Sequence, residues 1–324
     1  MQAPQSMSAE VRLSRFGLGC VSLGSHERTQ DAVRLLREAF ELGITHFDVA
    51  PLYGLGRAES ILGEFLRTVP RDRVTVATKF GLEPPRILGG RPGLVRLGKQ
   101  VVRFLPGVRT LVRRRIHSRV RESRFSAQDA AGSLEASLKV LGCEYVDLLL
   151  LHEAQLPDAC NAELVEYLER EVRGGRIRAY GIASDTSRLG EDLAAFPKTH
   201  TVFQFNNSAM RCEIAHLRGT EDKLLITHSA LAPAKQLRRA LTGREAFVKQ
   251  WSTRVDADLA EERVLADLLL DYALASNESG AVLFGTMRSD HLRENARRAC
   301  APRRTRQQLE IFCQFCRLTA EAGA

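Results

Sequence analysis

The stretch Gly43 to Gly63, GITHFDVAPLYGLGRAESILG, decides how the rest of the chain is read. Ile44, Phe47 and Val49 form a short β-branched and aromatic run after a helix-ending glycine. Pro51 and Gly54 break that strand. From Ala58 to about Arg67 the apolar residues return at helical spacing. Asp48 therefore stands near the carboxyl end of a strand, and Tyr53 stands on the loop after it. In α/β proteins that edge is where chemistry collects. A carboxylate in an apolar strand is costly unless a cation pairs with it. A tyrosine close to such a pair is expected to have its pKa lowered, which would ready it to hand over a proton.

Outward from this unit, strand and helix patterns alternate. Strands are expected at Phe16–Cys20, through Ile44–Val49, from Val74 to Lys79, and from Tyr145 to His152. Four more are expected at Arg178–Ser184, Thr201–Phe205, Leu224–Ser229 and Ala281–Phe284. Between them, helical spacing marks Asp31–Leu42, Ala127–Leu141, Ala162–Val172, Leu189–Phe196, Cys212–Leu217, Ala260–Ala275 and Asp290–Ala299. The fourth strand is almost wholly apolar, as a parallel strand buried on both faces should be. Eight alternations favour an α/β protein of the (β/α)8 TIM-barrel class over an open sheet. The expected organisation is one barrel domain over residues 1–324. It carries an insertion at 82–126 and a C-terminal tail at 302–324.

Composition narrows the function classes. The chain has 324 residues, 44% of them hydrophobic and 27% charged, which suits a large packed core. No apolar run approaches the roughly 20 residues of a membrane span. The start, MQAPQSMSAE, has neither a basic segment nor an apolar one, and the seven cysteines are scattered. A cytoplasmic location is expected. Cys313 and Cys316 form a CxxC without partners at metal spacing, so helix packing is the better reading and no metal is expected.

The residues Asp48, Tyr53, Gly54, Gly56, Glu59, Leu62 and Gly63 resemble the signature of the aldo-keto reductases: an aspartate, a tyrosine five residues on, then G-x-x-E-x-x-L-G. Lys79, in TKFG, and His152, in DLLLLHE, extend the likeness. A barrel brings all four strand-end residues together. The resemblance implies that Tyr53 protonates a carbonyl oxygen, that Lys79 paired with Asp48 lowers its pKa, and that His152 orients the carbonyl. A hydride arriving at carbon builds charge on oxygen, and positioned donors stabilise it.

The likeness also implies a nicotinamide site. In LFGTMRSDHLRENARRA, residues Gly285, Thr286, Arg288, Leu292, Glu294 and Asn295 match the family segment that grips the adenosine phosphate, and His291 adds charge. Ser184 and Asp185 stand where the family has Ser-Asn, and Gln204 matches a strand-end glutamine. His228, Ser229 and Leu231 stand where the family has an aromatic residue, Ser and Leu. Asp185 and His228 are departures, and Phe284 replaces a usual proline. The phosphate-binding charge favours NADPH as cofactor, with NADH open. No Gly-x-Gly-x-x-Gly follows a strand, so a Rossmann site is not indicated.

The net charge of +8 is concentrated in one place. Residues 86–124 hold 12 Lys and Arg against Glu122, a charge of +11, which leaves −3 for the remainder. Two amphipathic helices are expected within 94–121, broken at Pro106-Gly107. Following the third strand, they should lie at the catalytic mouth. One reading is a lid that recruits an anionic or carrier-bound carbonyl substrate. A second is an arm touching acidic lipid or an acidic protein. A third is a solvated hairpin. Nucleic acid is least supported, because Phe104 is the segment's sole aromatic residue.

The expected function is NADPH-dependent reduction of an aldehyde or ketone. The alternatives are NAD(P)-dependent oxidation of a sugar or alcohol, and a cofactor-binding partner protein with little catalysis. Oligomeric state is not legible.

Overall fold

The computed structural model describes residues 11–82, 125–300 and 304–321. The helices expected within 94–121, and with them most of the basic segment, lie outside the described residues.

Eight parallel strands close into a barrel in sequence order. They are β1 (Phe16–Gly19), β2 (His46–Asp48), β3 (Thr75–Phe80), β4 (Val146–His152), β5 (Ile177–Ala183), β6 (Val202–Asn206), β7 (Leu224–His228) and β8 (Ala281–Phe284). Each agrees with its expected strand to within a few residues at either end. The last strand pairs back onto the first, Leu18 with Phe284, so no sheet edge is left open.

The two-residue period of β4 shows why the barrel forms. Leu148 and Leu150 point inward and join Ala77, Val202, Ile226 and Leu283 in the barrel's interior. Leu149 and Leu151 point outward and pack under the helices. Asp147 is the exception, fully buried on an outward position. Its carboxylate accepts from Arg71 Nη2 at 2.7 Å and from Val76 N at 2.9 Å, and it pairs with Arg178 at 3.1 Å. Those partners are what make the buried charge tolerable.

Helices α1 (Thr29–Glu41), α2 (Arg57–Leu66), α3 (Ala127–Leu141), α4 (Leu156–Ala159) and α5 (Ala162–Arg173) cover the first half of the barrel. α1 buries Ala32, Leu35, Leu36 and Ala39 at three- and four-residue spacing. α3 opens on a capping box between Ser126 and Asp129, and ends on Gly142 in the left-handed region. Phe125 packs edge-on against Phe80 with ring centroids 6.0 Å apart. A Cβ on Gly81 would lie 2.2 Å from the Phe125 ring, so that glycine is required.

The second half departs more from expectation. The single helix expected over Leu189–Phe196 is instead α6 (Thr186–Leu189) and a separate 3-10 turn, Leu193–Ala195. Gly190, at φ 75°, breaks them apart, and an isolated bridge between Asp192 and Arg218 holds the break. The helix expected at Cys212–Leu217 is a 3-10 turn, Glu213–His216. Helices α7 (Ala234–Leu241) and α8 (Glu245–Val255) were not foreseen. They precede α9 (Glu262–Ser276) and α10 (Ser289–Cys300). The C-terminal tail is largely a helix, α11 (Arg306–Glu321), packed on α7, α8 and α9. Its Phe312, Phe315, Cys313 and Cys316 are buried beside Trp251 and Leu269.

Candidate active site

The loop carrying Tyr53 is held by backbone contact. The chain kinks within Tyr53–Gly56, where Gly54, Leu55 and Gly56 all have positive φ. A Cβ on Gly24 would come within 2.7 Å of Gly54 Cα, so two loops at the barrel mouth touch chain to chain. Arg57 locks them by donating to Gly24 O at 3.1 Å and to His26 O at 2.7 Å.

Asp48 and Lys79 end adjacent strands and face inward. Lys79 Nζ lies 2.5 Å from Asp48 Oδ1 and 3.2 Å from Val49 O, and both side chains are almost fully buried. The ammonium also lies 4.9 Å from the centroid of the Tyr53 ring. His152, at the end of β4, meets the Tyr53 ring edge-on at 6.0 Å. The four expected residues are therefore in one place.

Burial pulls the Lys79 pKa down, but the Asp48 carboxylate and Tyr53 outweigh it, and the net direction is up. Tyr53 departs from expectation. Lys79 does act to lower its pKa, but burial is the larger influence and the net direction is upward. The phenol is thus held in its protonated, donating form. His152 is pushed down to about 3 by burial, with Lys79 and His228 adding, so its imidazole is neutral near pH 7.

These groups line a pocket of about 310 Å3. Its walls include Ser184, Gln204, His228, Ser229 and Gly285, all expected cofactor residues. Gln204 Oε1 is buried and has no hydrogen-bond partner, so the wall holds a free acceptor. That acceptor fits the amide N–H of a nicotinamide carboxamide. Ser184 Oγ is already engaged, donating to Ala154 O at 2.8 Å. His228 Nδ1 lies 2.8 Å from Ser229 Oγ, and burial lowers its pKa.

Other expected cofactor residues lie off the pocket wall. Asp185 is exposed and Leu231 half-buried. Thr286 is buried beyond Gly285, its hydroxyl accepting from Arg288 N at 3.1 Å. Arg288 is exposed, and Asp290 pairs with its guanidinium through both carboxylate oxygens. His291 is exposed, Glu294 pairs with Arg263, and Asn295 is half-buried. Glu153, Val21 and Leu283 line the pocket but carried no sequence signal of their own. Among their neighbours His152 and Phe284 did.

The aldo/keto reductase family profile matches residues 15–226. D-threo-aldose 1-dehydrogenase of a Pseudomonas species is 32% identical over 57% of this chain, which spans about half, 54%, of that relative. An uncharacterized oxidoreductase of Bacillus subtilis is 27% identical over 94% of this chain and 93% of its own. An aldo-keto reductase of Bacillus halodurans shares the fold, with TM-score 0.65 at 21% identity, over 95% of this chain and 93% of that one. With its profile match running from β1 into β7 and including every strand that bears the Asp48, Lys79 and His152 cluster, the chain belongs to the aldo/keto reductase family.

Proposed function

We propose that this protein reduces an aldehyde or ketone to an alcohol, using NADPH, with Tyr53 as the proton donor. The observation that carries this reading is the buried Lys79–Asp48 pair beside a protonated Tyr53, Nζ 4.9 Å from its ring centroid, with His152 lining the same pocket. A reduced nicotinamide, when bound, supplies the hydride. The chain's own residues do the rest. Tyr53 donates its proton to the developing alkoxide. Lys79 stabilises the phenolate left behind, and Asp48 keeps Lys79 charged and in place. Neutral His152 lines the space where a carbonyl oxygen meets Tyr53 and supplies a second hydrogen bond.

Gln204 and His228 would hold the nicotinamide ring, the first through its unpartnered acceptor and the second by stacking. Gly285 leaves room for close backbone approach, and Arg288 with His291 would take the phosphate end. Asp290 competes for Arg288, which gives NADH a place as a second cofactor. The charge of +11 on residues 86–124 favours an anionic carbonyl compound as substrate. Oxidation of a sugar or alcohol uses the same groups in reverse, and the relation to an aldose dehydrogenase supports that direction as well.

A stopped-flow experiment tests the proposal. The NADPH-loaded protein is mixed with a panel of aldehydes, and the absorbance of the reduced ring is followed. At least one aldehyde should be turned over. Tyr53→Phe should slow that step by about 10²–10⁴-fold, the usual worth of a general acid, while leaving cofactor affinity unchanged. Tight NADPH binding without oxidation by any aldehyde would replace this reading with that of a cofactor-binding partner protein.

A further inference from the structure

The loop after β6 folds back around one buried side chain, Glu213, whose two carboxyl oxygens have different partners. Oε1 accepts from Asn206 Nδ2 at 2.7 Å, and Oε2 accepts from Ser208 N at 2.8 Å. Burying an acid is costly unless donors meet it in this way. The backbone is strained to bring it there. Cys212, the residue before, is left-handed at φ 52°, a conformation uncommon outside glycine, and its N–H donates to Ser208 O at 2.7 Å. The residue after is pinned by fully buried Asn207, whose Oδ1 accepts from Ile214 N at 3.2 Å. Strain of this kind collects at functional sites.

Glu213 reaches the barrel mouth through Asn206, the last residue of β6. Asn206 Oδ1 accepts from Thr186 N at 3.1 Å, in the loop after β5. The amide therefore has one orientation, its oxygen toward an N–H and its NH2 toward a carboxylate. An unbroken relay of hydrogen bonds runs from Ser208 N through Glu213 and Asn206 to Thr186. The loops it joins carry Ser184 and Asp185 on one side and Gln204 on the other. Ser184 N donates to Gln204 O at 3.0 Å, and Asn207 N donates to His228 O at 2.9 Å. Neither Glu213 nor Asn206 lines the pocket, so each acts on it through these neighbours.

We propose, on the reading that Gln204 accepts from a nicotinamide carboxamide, that Glu213 is a positioning residue for the nicotinamide half of the cofactor. It acts through Asn206 to fix the loop after β5 against the end of β6. The backbone bond from Ser184 to Gln204 ties the two at one point, which by itself leaves a hinge. The relay ties them at a second point, two residues further along each chain, and two points set an orientation. Glu213→Gln breaks the relay with little change of shape. Its new NH2 must face either the Asn206 NH2 or the Ser208 N–H, and neither can accept. A flip of Asn206 gives no escape, because the Thr186 N–H would then face an NH2.

The test compares two ligands on the full chain. One is NADPH, and the other is adenosine 2′,5′-bisphosphate, which shares the phosphate end and lacks the nicotinamide. Dissociation constants are read by ligand fluorescence and by calorimetry, with the melting temperature alongside. Glu213→Gln should weaken NADPH about tenfold, the low end of what losing an orienting partner costs at a metal site, and leave the bisphosphate within about twofold. Asn206→Asp combined with Glu213→Gln reverses the pair and restores every match. The carboxylate at 206 accepts from Thr186 N and from the amide at 213, whose oxygen accepts from Ser208 N. That double variant should bind NADPH within about threefold of the unaltered protein, the coupling expected of two residues in one network. If the single variant does not fold, Asn206→Ala cuts the same relay at a half-buried position that water can fill, and the same split between ligands is expected. Equal weakening of both ligands, unchanged NADPH affinity on cutting the relay, or no recovery in the reversed pair would each overturn this role alone. Failure of the unaltered protein to take up NADPH would instead overturn the cofactor reading, and this role with it.

Discussion

Lys79 and Asp48 are each untenable alone. Both side chains are nearly fully buried, and each supplies the charge that makes the other affordable. Lys79→Met should therefore cost about 3–5 kcal/mol of stability, as removal of one partner of a buried pair does. The double variant Asp48→Asn with Lys79→Met should regain much of that loss yet remain inactive. Urea denaturation alongside turnover separates the two effects. A single variant as stable as the wild type would show that the pair is not buried as described. At the same scale Asp48, Tyr53, Lys79 and His152 were legible because all four occur together in matching motif context, whereas a strand-end lysine or histidine alone is more often structural. The sequence did not foresee the direction of the Tyr53 shift. That direction depends on how much water the folded loop removes, and no local pattern encodes it.

At the scale of elements, the packing of α2 against α3 places β2 and β3 with their site residues. Gly63 lies at that contact. A Cβ there would fall 2.7 Å from Val140 O and 2.9 Å from Leu141 O. Gly-to-Ala changes inside helices ordinarily stabilise by about 1 kcal/mol. Here the sign should reverse, with Gly63→Ala costing about 1–3 kcal/mol by overpacking. Chemical denaturation reads the sign directly, and a more stable variant would contradict the close approach. Glu59 of α2 adds a polar tie, accepting from Thr78 Oγ1 and Ser137 Oγ, each at 2.8 Å. Strong elements such as α3 were legible because cap, periodicity and terminal glycine agree. α7, with charged residues through its middle, offered no such agreement, and its helix rests on contacts with α9 and α11.

Across the whole molecule, buried histidines set the acid limit of stability. Burial pushes His46 down to about 4, against Asp48 and Asp147, which act to raise it. Burial, with Lys223 adding, pushes His200 to about 4 as well. Their unfolded values lie near 6.5. Between these limits the unfolded chain binds more protons than the folded one. Stability is thus fully present above about pH 6.5 and is lost as pH falls toward 4. The two together withhold several kcal/mol at the lower limit, roughly 3 for each. The melting temperature should drop from pH 7 to pH 4.5, and His200→Leu should shallow that drop. A flat profile across this window would refute the assignment.

The sequence by itself determined the order of the eight strands and set Asp48, Tyr53, Lys79 and His152 at or just after their ends. Period-two and helical spacings are local, and each strand ends on a chemically distinctive group. Only the tertiary structure decided that α11 belongs to the core and that Gln204 keeps a free acceptor in the pocket. Each of these depends on groups distant along the chain coming together in one buried volume, and burial and contact across that distance are properties of the closed fold.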